Sequence, residues 1–258
     1  MLEYNLVIPM AGLGSRFTQA GYKTPKPLLP IGKYRMFEVV IANFASNGLK
    51  EISIVAPESF ELEDVCVVIA KKLGIKVHLT ELKEVTDGPA TTVGIGLKCF
   101  ENSLPVVVAN SDQFLDFKIE AWLSSASAEK HPGSILVMED DDPKWSYVSL
   151  NAEGLVEEVR EKEVISNFAT CGVYYFADAG DLSALIDFQR QVGNTVNGEF
   201  YVAPIFDIMA KRGDAVGVFN LGPVASVMFG LGVPSDYESF LASAAKEKAE
   251  AVATAILS

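Results

Sequence analysis

The sequence predicts an α/β protein built on a mixed, mostly parallel sheet with helices on its faces. Short runs of β-branched residues alternate with longer helical patterns through the first 115 residues, a rhythm typical of βαβ units. The run LPVVVAN at residues 104–110 has no polar alternation, as expected for a central strand covered on both faces. After Asp112 the strand patterns become closely spaced, which predicts a smaller β-rich region in the second half.

The individual elements follow from these patterns in chain order. In the first half, strands are predicted at residues 5–9, 51–56, 76–80 and 105–109, and helices at 37–47, 61–73 and 90–99. In the second half, strands are predicted at 134–138, 147–150, 155–159 and 172–176, joined by polar turns. The stretch from Asp236 onward, in which Lys and Glu are interspersed among alanines, predicts a helix. We expect a surface helix there, and its amphipathic pattern leaves a dimerisation helix, and so a homo-oligomer, as the alternative.

Length and composition predict one domain over residues 1–258. Hydrophobic residues make up 49% of the 258, which is ample for a well-buried core. We expect residues 1–115 and 116–240 to form the two halves of this domain and residues 241–258 to form the C-terminal helix.

The charge balance limits the partners that the protein can have. Asp and Glu number 34 against 21 Lys and Arg, which gives a net charge of −13. A surface of that sign repels the phosphate backbone of nucleic acid and anionic lipid headgroups, so we expect binding to neither nucleic acid nor membrane. A phosphorylated ligand would therefore have to meet a local basic pocket.

The cysteines and the first residues predict a cytoplasmic protein. Cys66, Cys99 and Cys171 are odd in number, lie far apart and sit in apolar runs, a pattern that favours buried free thiols in a reducing compartment. The chain opens into a strand-like run without a basic and then apolar leader, so no secretory signal is expected. No apolar stretch reaches the roughly 18 residues that a membrane span needs.

A glycine-rich turn directly after the first predicted strand is the first candidate binding site. Ala11, Gly12 and Gly14 allow backbone N–H groups to approach an anion closely, and Arg16 adds a planar cationic group suited to phosphate oxygens. The loop lacks the Gly-Lys-Ser/Thr ending of a P-loop, and Phe17 stands where a dinucleotide fingerprint has its third glycine. An ordinary tight turn is the alternative explanation.

Lys26 is the second candidate, because prolines stand on both sides of it. Pro25 and Pro27 restrict the backbone and are expected to hold this segment extended. A cation on a rigid segment is suited to stabilising a phosphate whose charge grows during substitution. A solvated, proline-stiffened loop is the alternative.

Asp112 is the third candidate, because it follows the central strand at the end where α/β sheets bind ligands. Mg²⁺ prefers oxygen ligands and often uses one or two carboxylates together with substrate phosphates. We therefore expect Asp112 to be a Mg²⁺ ligand, with a helix N-cap as the structural alternative.

Taken in order, these residues resemble the nucleotidyltransferase family that makes nucleotide sugars, whose signature is a strand, G-x-G-x-R, a short variable stretch and P-K-x-L. The matching residues are Gly12, Gly14, Arg16, Pro25, Lys26 and Leu28. The resemblance implies a Rossmann-like, GT-A-like fold with a small β-rich region for the acceptor. It makes the first half the nucleotide-binding half and the second half the acceptor-binding half.

The resemblance continues to about residue 240. Segments similar to the family's D-P-x-x-Y-G-V, E-K, S-N-x-A-x-x-G-x-Y and G-E motifs occur in order at residues 142–148, 161–162, 166–174 and 198–199. The resemblance implies that Lys162 meets the acceptor phosphate and that Glu161 holds sugar hydroxyls. Gly172 and Glu199 are implied to contact the acceptor as well. The alternative explanations are that Glu161 and Lys162 are exposed surface charges and that Gly172 forms a strand bulge.

Several positions depart from the family pattern. No acid occupies residues 228–232, where the second metal aspartate usually lies, and Asp236 is only a weak candidate. Tyr147 replaces a small glycine, which is expected to reshape the sugar pocket. Asn197 stands where many members have an arginine that binds the acceptor phosphate, so we expect Asn197 to contact the acceptor and Lys162 to take more of the phosphate binding.

The segment around Asp87 and Gly88 is similar to the part of the family that reads the base. Gly88 would let the backbone approach the ring of the base. The glutamine usual in this segment is not evident, so the sequence does not name the base.

The resemblance implies transfer of a nucleotidyl group from a nucleoside triphosphate to a sugar phosphate or a similar phosphorylated small molecule, with Mg²⁺ as cofactor. Arg16, Lys26 and Asp112 are the expected catalytic residues. A glycosyltransferase of related fold is one alternative, although its usual D-x-D motif is not found after the strand and residues 140–142 place three aspartates on a loop. A non-catalytic nucleotide-sensing subunit is the other, because the second metal aspartate is missing.

Overall fold

The computed structural model describes residues 2–12, 14–224 and 226–258, and in these ranges helices cover both faces of one nine-stranded sheet. The strands are β1 (Tyr4–Pro9), β2 (Pro30–Ile31), β3 (Tyr34–Arg35), β4 (Leu49–Pro57), β5 (Lys76–Leu82), β6 (Val106–Ala109), β7 (Gln113–Leu115), β8 (Gly133–Glu139), β9 (Ser146–Leu150), β10 (Val156–Glu161), β11 (Phe168–Phe176), β12 (Gly217–Pro223) and β13 (Met228–Gly230). The helices are α1 (Ser15–Gln19), α2 (Met36–Phe44), α3 (Glu63–Leu73), α4 (Pro89–Leu97), α5 (Glu120–Ala128), α6 (Ala179–Gln191), α7 (Ala203–Arg212), α8 (Pro234–Leu241) and α9 (Ala244–Leu257).

The sheet has a parallel half and a mixed half, as predicted. Its order is β10-β9-β11-β6-β1-β4-β5, with β8 against β11 and β12 against β8. β5, β4, β1 and β6 pair in parallel, whereas β11 runs antiparallel to β6, β8 and β9. The fold class expected from the sequence is therefore confirmed.

The order in which successive strands are added to the sheet reverses next to β1. The chain moves outward from β1 to β4 and β5, and then returns through α4 to place β6 on the other side of β1. At such a switch point the loops after the two neighbouring strands diverge and leave a crevice at their carboxyl ends. The glycine-rich loop follows β1 and Asp112 follows β6, so the topology brings both to one crevice.

Two apolar layers hold the helices against the sheet. One layer includes α2, α3, α5, α8 and α9, and the other includes α4, α6 and α7. The strand β6 is buried along its whole length and contributes Val107 to the first layer and Val106 and Val108 to the second. This confirms the expectation drawn from its unbroken apolar run.

Two expectations about individual elements are corrected. The helix predicted from Asp236 onward is two helices, because Ala242 and Ser243 separate α8 from α9 and Ser243 has an extended backbone. The strand predicted at residues 172–176 begins at Phe168, and the register of β11 shifts between Thr170 and Tyr174.

The C-terminal helix α9 packs against the rest of the same chain. Ala245, Ala249, Ala253 and Leu257 form its buried face, which lies against α2, α3 and α8. Small residues allow this close approach between helices, and the remaining positions of α9 carry its charged residues.

Cys66 and Cys171 are buried free thiols, and Cys99 is a half-buried free thiol. None of the helices in the described ranges combines the length and apolar character needed to cross a bilayer.

Candidate active site

Two adjoining cavities open at the carboxyl ends of β1 and β6. The loop cavity, lined by the turn after β1, has a volume of about 510 Å³. The hairpin cavity, lined by residues of β9, β10 and β11, has a volume of about 340 Å³. The residues that line both cavities are Arg16, Lys26, Pro89, Asn110, Asp112, Lys162, Tyr201 and Gly232. The three residues predicted to be catalytic are all in this shared wall.

The glycine-rich turn forms one side of the loop cavity. Ala11, Gly12 and Gly14 line it together with Arg16, as the sequence predicts for a nucleotide-binding loop, while Leu13 lies outside the described residues. Gly14 is left-handed at φ 59° and precedes α1. Phe17 is buried, so the loop is anchored to the core directly after Arg16.

The proline segment packs directly against this loop. A Cβ on Gly14 would lie 3.3 Å from the Cβ of Lys26, so the two segments are in close contact. Pro25 is extended, as predicted, but residues 26–28 form a single 3₁₀ turn closed by the bond from the Leu29 N–H to the Lys26 carbonyl at 3.1 Å. The expectation that the whole segment is extended is therefore wrong at Lys26.

Lys26 and Asp112 form an ion pair at the junction of the cavities. Lys26 Nζ lies 2.7 Å from Asp112 Oδ2, and the two side chains are 22% and 19% exposed. Asp112 directly precedes β7 rather than a helix, so the N-cap alternative is excluded. Charges held this far from bulk solvent interact more strongly than exposed ones.

The carboxylates near this pair limit how a metal ion can be held. No group of three or more Asp, Glu, His or Cys side chains that could hold a metal ion occurs among the residues that the structure describes. Gly232 faces Asp112, because a Cβ there would lie 3.1 Å from Oδ2, and Asp236 is 3.2 Å from the ammonium of Lys144. One carboxylate between two cavities that are large enough for phosphorylated ligands fits a Mg²⁺ ion that takes its other ligands from substrate phosphates and water.

Gly88 closes the far side of the loop cavity. Its φ is 143°, and a Cβ would overlap the backbone N and O of Phe200, so a residue without a side chain is required here. Asp87 does not line either cavity in the described chain. Its carboxylate lies 3.4 Å from Arg190, and its carbonyl accepts the N–H of Phe200 at 2.9 Å.

A lysine, a tyrosine and a glutamate form a chain of hydrogen bonds beside the shared wall. Lys162 Nζ donates to the hydroxyl of Tyr201 at 2.6 Å, and that hydroxyl donates to Glu199 Oε2 at 2.5 Å. The ammonium also lies 4.4 Å from the centre of the Tyr201 ring. Burial and the bond to Glu199 raise the pKa of Tyr201, so the phenol stays protonated and fixes the direction of this chain.

Glu161 is the most deeply buried carboxylate of the hairpin cavity, with 7% of its side chain exposed. The hydroxyl of Ser146 donates to its Oε2, and the ammonium of Lys162 is 3.9 Å from Oε1. Burial raises the pKa of Glu161 in spite of these two groups. A further hydrogen-bond donor would therefore stabilise the ionised form of the Glu161 carboxylate.

Asn197 and Gly172 have roles set by backbone geometry. Asn197 and Gly198 have φ values of 52° and 81° in a tight turn closed by two bonds between Val196 and Glu199. This is the geometry favoured by Asn-Gly, and Asn197 itself lines neither cavity in the described chain. Gly172 lines the hairpin cavity at the irregular point of β11, so the strand-bulge explanation and a place in the site both hold.

The aromatic residues that line the hairpin cavity in the described chain are Trp145, Tyr174 and Tyr201, and Tyr147 is not among them. Tyr147 is fully buried and its hydroxyl donates to the carbonyl of Asp142 at 2.8 Å. Alternate residues of β9 point to opposite faces, and its neighbour Ser146 is on the face that lines the cavity. The expectation that Tyr147 reshapes the pocket is therefore wrong. The sequence does not predict Trp145 or Tyr201 as site residues. Each is an aromatic residue next to a family motif, and that alone does not indicate a place in the cavity.

The aspartates of the 140–142 loop are engaged by neighbouring side chains. Asp140 accepts the indole N–H of Trp145 at 2.7 Å, and Asp142 lies 3.3 Å from the ammonium of Lys144. A D-x-D metal motif needs free carboxylates, so this loop does not supply one.

Comparison with known proteins identifies relatives over most of the chain. A family model described as nucleotidyl transferase matches residues 6–192. A mannose-1-phosphate guanyltransferase beta-B of Xenopus laevis is 28% identical over 214 residues, which cover 80% of this chain and 56% of that protein. The mannose-1-phosphate guanylyltransferase catalytic subunit beta of Xenopus tropicalis is 28% identical over 180 residues, which cover 67% and 49%. The chain thus spans about half the length of these curated relatives.

Solved structures share the same fold. A nucleoside-diphosphate-sugar pyrophosphorylase from Vibrio cholerae RC9 superimposes with a TM-score of 0.78 at 26% identity, covering 92% of this chain and all of that chain. An inositol-1-phosphate CTP transferase from T. maritima superimposes with a TM-score of 0.76 at 17% identity, covering 97% and 96%. The expected GT-A-like architecture is therefore confirmed.

Proposed function

The chain belongs to the nucleotidyl transferase family, and on that premise we propose that it joins a nucleoside triphosphate to a sugar phosphate and releases pyrophosphate. The observation that carries the proposal is the meeting of two cavities at the pair formed by Lys26 and Asp112. A reaction between two phosphorylated substrates needs two binding spaces that share one charged wall, since both phosphates must approach the same point.

The loop cavity is the proposed triphosphate site. Ala11, Gly12 and Gly14 supply backbone N–H groups, and Arg16 supplies a guanidinium that matches phosphate oxygens. Gly88 and Thr92 line the same cavity away from the shared wall, where the base would lie.

The hairpin cavity is the proposed sugar-phosphate site. Lys162 lines both cavities, so its ammonium is placed to hold the acceptor phosphate next to the triphosphate. Glu161 provides carboxylate oxygens that accept hydrogen bonds from sugar hydroxyls. Glu199 lines the loop cavity and orients the lysine through Tyr201, so it acts as a positioning residue.

In the proposed reaction, an oxygen of the acceptor phosphate forms a bond to the α-phosphorus of the triphosphate. The bond from the α-phosphorus to the oxygen that bridges to the β-phosphate breaks, and pyrophosphate leaves with that electron pair. Lys26 neutralises the charge that develops on the transferring group. Asp112 would hold one Mg²⁺ together with substrate phosphates, and such an ion supplies further charge neutralisation when bound.

The cytoplasm is the proposed location, because three free cysteines suit a reducing compartment. The products of the proposed reaction, a nucleotide sugar and pyrophosphate, fit the use of nucleotide sugars in polysaccharide synthesis that the family resemblance implies.

A pyrophosphate-release screen tests the proposal. The four ribonucleoside triphosphates and dTTP are crossed, in the presence of Mg²⁺, with a panel of sugar 1-phosphates and phosphorylated small alcohols. One productive pair supports the proposal and names the base and the acceptor. Tight nucleotide binding without pyrophosphate from any pair would favour the nucleotide-sensing alternative, whereas glycosyl transfer without pyrophosphate would favour the glycosyltransferase.

A further inference from the structure

Trp145 stands in the wall of the hairpin cavity and is fixed at its indole nitrogen. The N–H donates to Asp140 Oδ2 at 2.7 Å. The other oxygen of Asp140 accepts the backbone N–H groups of Asp141 and Asp142 at 2.7 and 3.1 Å. Because the acceptor carboxylate is itself held by the loop, one end of the indole has a defined position.

The opposite edge of the indole is fixed by Gly230. A Cβ at Gly230 would lie 2.6 Å from Cη2 of Trp145, which is closer than non-bonded atoms approach. Gly230 belongs to β13, and it pairs with Gln113 of β7, so its backbone is not free to withdraw. The glycine at 230 therefore makes the space that the indole occupies.

The backbone of Trp145 is joined to the lysine of the proposed acceptor site. The carbonyl of Trp145 accepts the N–H of Lys162 at 3.0 Å. Lys162 has a φ of 60°, which is uncommon for a residue other than glycine and needs support from its surroundings. The indole and the ammonium are consequently held in one local unit.

A cation already lies near the indole ring. The ammonium of Lys144 is 4.9 Å from the ring centre and is paired with Asp236 at 3.2 Å and Asp142 at 3.3 Å. Burial lowers the pKa of Lys144, but the hydrogen bonds to the two aspartates outweigh this, so its pKa is raised and it stays charged. This ammonium already occupies a position over the ring that a cationic group of the acceptor would otherwise take.

We propose that Trp145 is a specificity-determining residue whose indole forms the apolar wall for the ring of a neutral sugar phosphate, and that Gly230 is small so that this wall can form. The inference rests on the proposed function and adds the part of the site that selects the acceptor. A sugar ring presents both C–H groups and hydroxyls, and the hairpin cavity offers an indole and the carboxylate of Glu161 to match them.

Intrinsic fluorescence gives a direct test, because the chain has two tryptophans. Trp122 is fully buried in the core, so a change in emission on ligand binding reports on Trp145. Glucose 1-phosphate and mannose 1-phosphate are the probes, each added with and without a non-hydrolysable nucleoside triphosphate analogue. Inorganic phosphate and phosphocholine serve as the comparison ligands.

The inference predicts that a sugar 1-phosphate shifts the emission of the wild-type protein and that the comparison ligands do not. Trp145→Ala and Gly230→Ala should each weaken sugar-phosphate binding by roughly tenfold, which corresponds to about 1.4 kcal/mol, with nucleotide binding within twofold of wild type by calorimetry. Trp145→Phe should recover most of the affinity. Gly94→Ala is the matched control, because a Cβ there meets Ile186 at an ordinary 3.4 Å, and it should bind like wild type.

Two results would overturn the inference. One is unchanged sugar-phosphate affinity in both Trp145→Ala and Gly230→Ala. The other is an unchanged wild-type emission with every sugar phosphate tested. The pyrophosphate screen is a separate measurement. Turnover of a sugar phosphate without an emission shift and without an effect of the two variants would support the proposed function and overturn this inference. A protein with no signal in either assay would overturn both.

Discussion

The loop cavity and the hairpin cavity are built in different ways. The loop cavity is lined by the turn after β1, by residues that follow β6 and by Gly88, whose backbone packs against that of Phe200. The hairpin cavity is lined by further side chains that come together from distant segments, such as Lys144 and Asp236, which are 92 residues apart. We infer that the first cavity is sensitive to an added side chain at Gly88, where the backbone of Phe200 is in contact, whereas the second is tuned by the chemistry of single side chains.

The shared wall gives the largest expected effect. Lys26→Ala and Asp112→Asn should each lower kcat by about 10²–10³, the range seen when one preorganised charge partner of a transition state is removed. The double variant should lose less than the product of the two single effects, because the groups form one pair. Steady-state pyrophosphate release on the productive substrate pair measures this.

The controls for this prediction come from matched surface residues. Lys50→Ala and Asp116→Asn remove members of exposed ion pairs with Glu3 and Lys248, and both should keep wild-type rates. Wild-type turnover in Lys26→Ala or Asp112→Asn would contradict the assignment of the shared wall as the centre of the reaction.

Gly88→Ala tests the claim that the loop cavity depends on its backbone. The added Cβ would overlap the backbone of Phe200 at a φ of 143°, and such strain costs of the order of 1–3 kcal/mol. We expect a lower melting temperature and nucleotide binding weakened by about tenfold or more. Calorimetry with the nucleoside triphosphate and a thermal melt measure the two effects, and a variant with wild-type values in both would show that this backbone contact is not required.

Glu161→Gln tests whether the hairpin cavity depends on one charge. A hydrogen bond to a charged acceptor contributes about 1.5–3 kcal/mol, so the KM for the sugar phosphate should rise about tenfold or more while the KM for the nucleotide stays the same. An unchanged acceptor KM would remove Glu161 from the acceptor site.

The same variant carries a pH signature in stability. Because burial raises the folded-state pKa of Glu161, the folded state holds the proton more tightly than the unfolded chain. The contribution of Glu161 to the free energy of unfolding is therefore complete below the ordinary Glu pKa, and it is lost as the pH rises through the raised pKa of the folded state. Glu161→Gln should therefore melt higher than wild type at neutral pH, by about 2–4 °C per kcal/mol, and the difference should shrink as the pH falls below the ordinary Glu pKa.

Tyr201→Phe asks whether Lys162 is positioned by its neighbour. The change removes the hydroxyl between the lysine and Glu199 but keeps the ring beneath the ammonium. A hydrogen bond to a charged group contributes about 1.5–3 kcal/mol, so we expect the acceptor KM to rise about tenfold with little change in kcat. A loss confined to kcat would mean that the hydroxyl takes part in the reaction rather than in holding the lysine.

The two cavities also differ in how far the sequence predicts them. Gly12, Gly14 and Lys26 were found because short motifs next to one strand fix local backbone, and sequence order alone places them near Asp112. The wall formed by Trp145 and Gly230 depends on a contact between distant segments, and the sequence contains no local pattern for it. The absence of an acid at residues 228–232 and the tyrosine at 147 indicate a difference in this region but do not predict this contact.

Substitution of Asp87 has the smallest expected effect on nucleotide binding, and it tests a residue for which the sequence prediction and the structure disagree. The sequence places this residue in the base-reading segment, yet its carboxylate faces Arg190 across 3.4 Å, and the two side chains are 43% and 48% exposed. Exposed pairs contribute about 0–1 kcal/mol, so Asp87→Ala should change the melting temperature by no more than a few degrees and nucleotide affinity by less than twofold. A tenfold loss of nucleotide affinity in Asp87→Ala, with the loop backbone intact, would mean that side chains rather than backbone shape this end of the loop cavity and would remove the contrast between the two cavities.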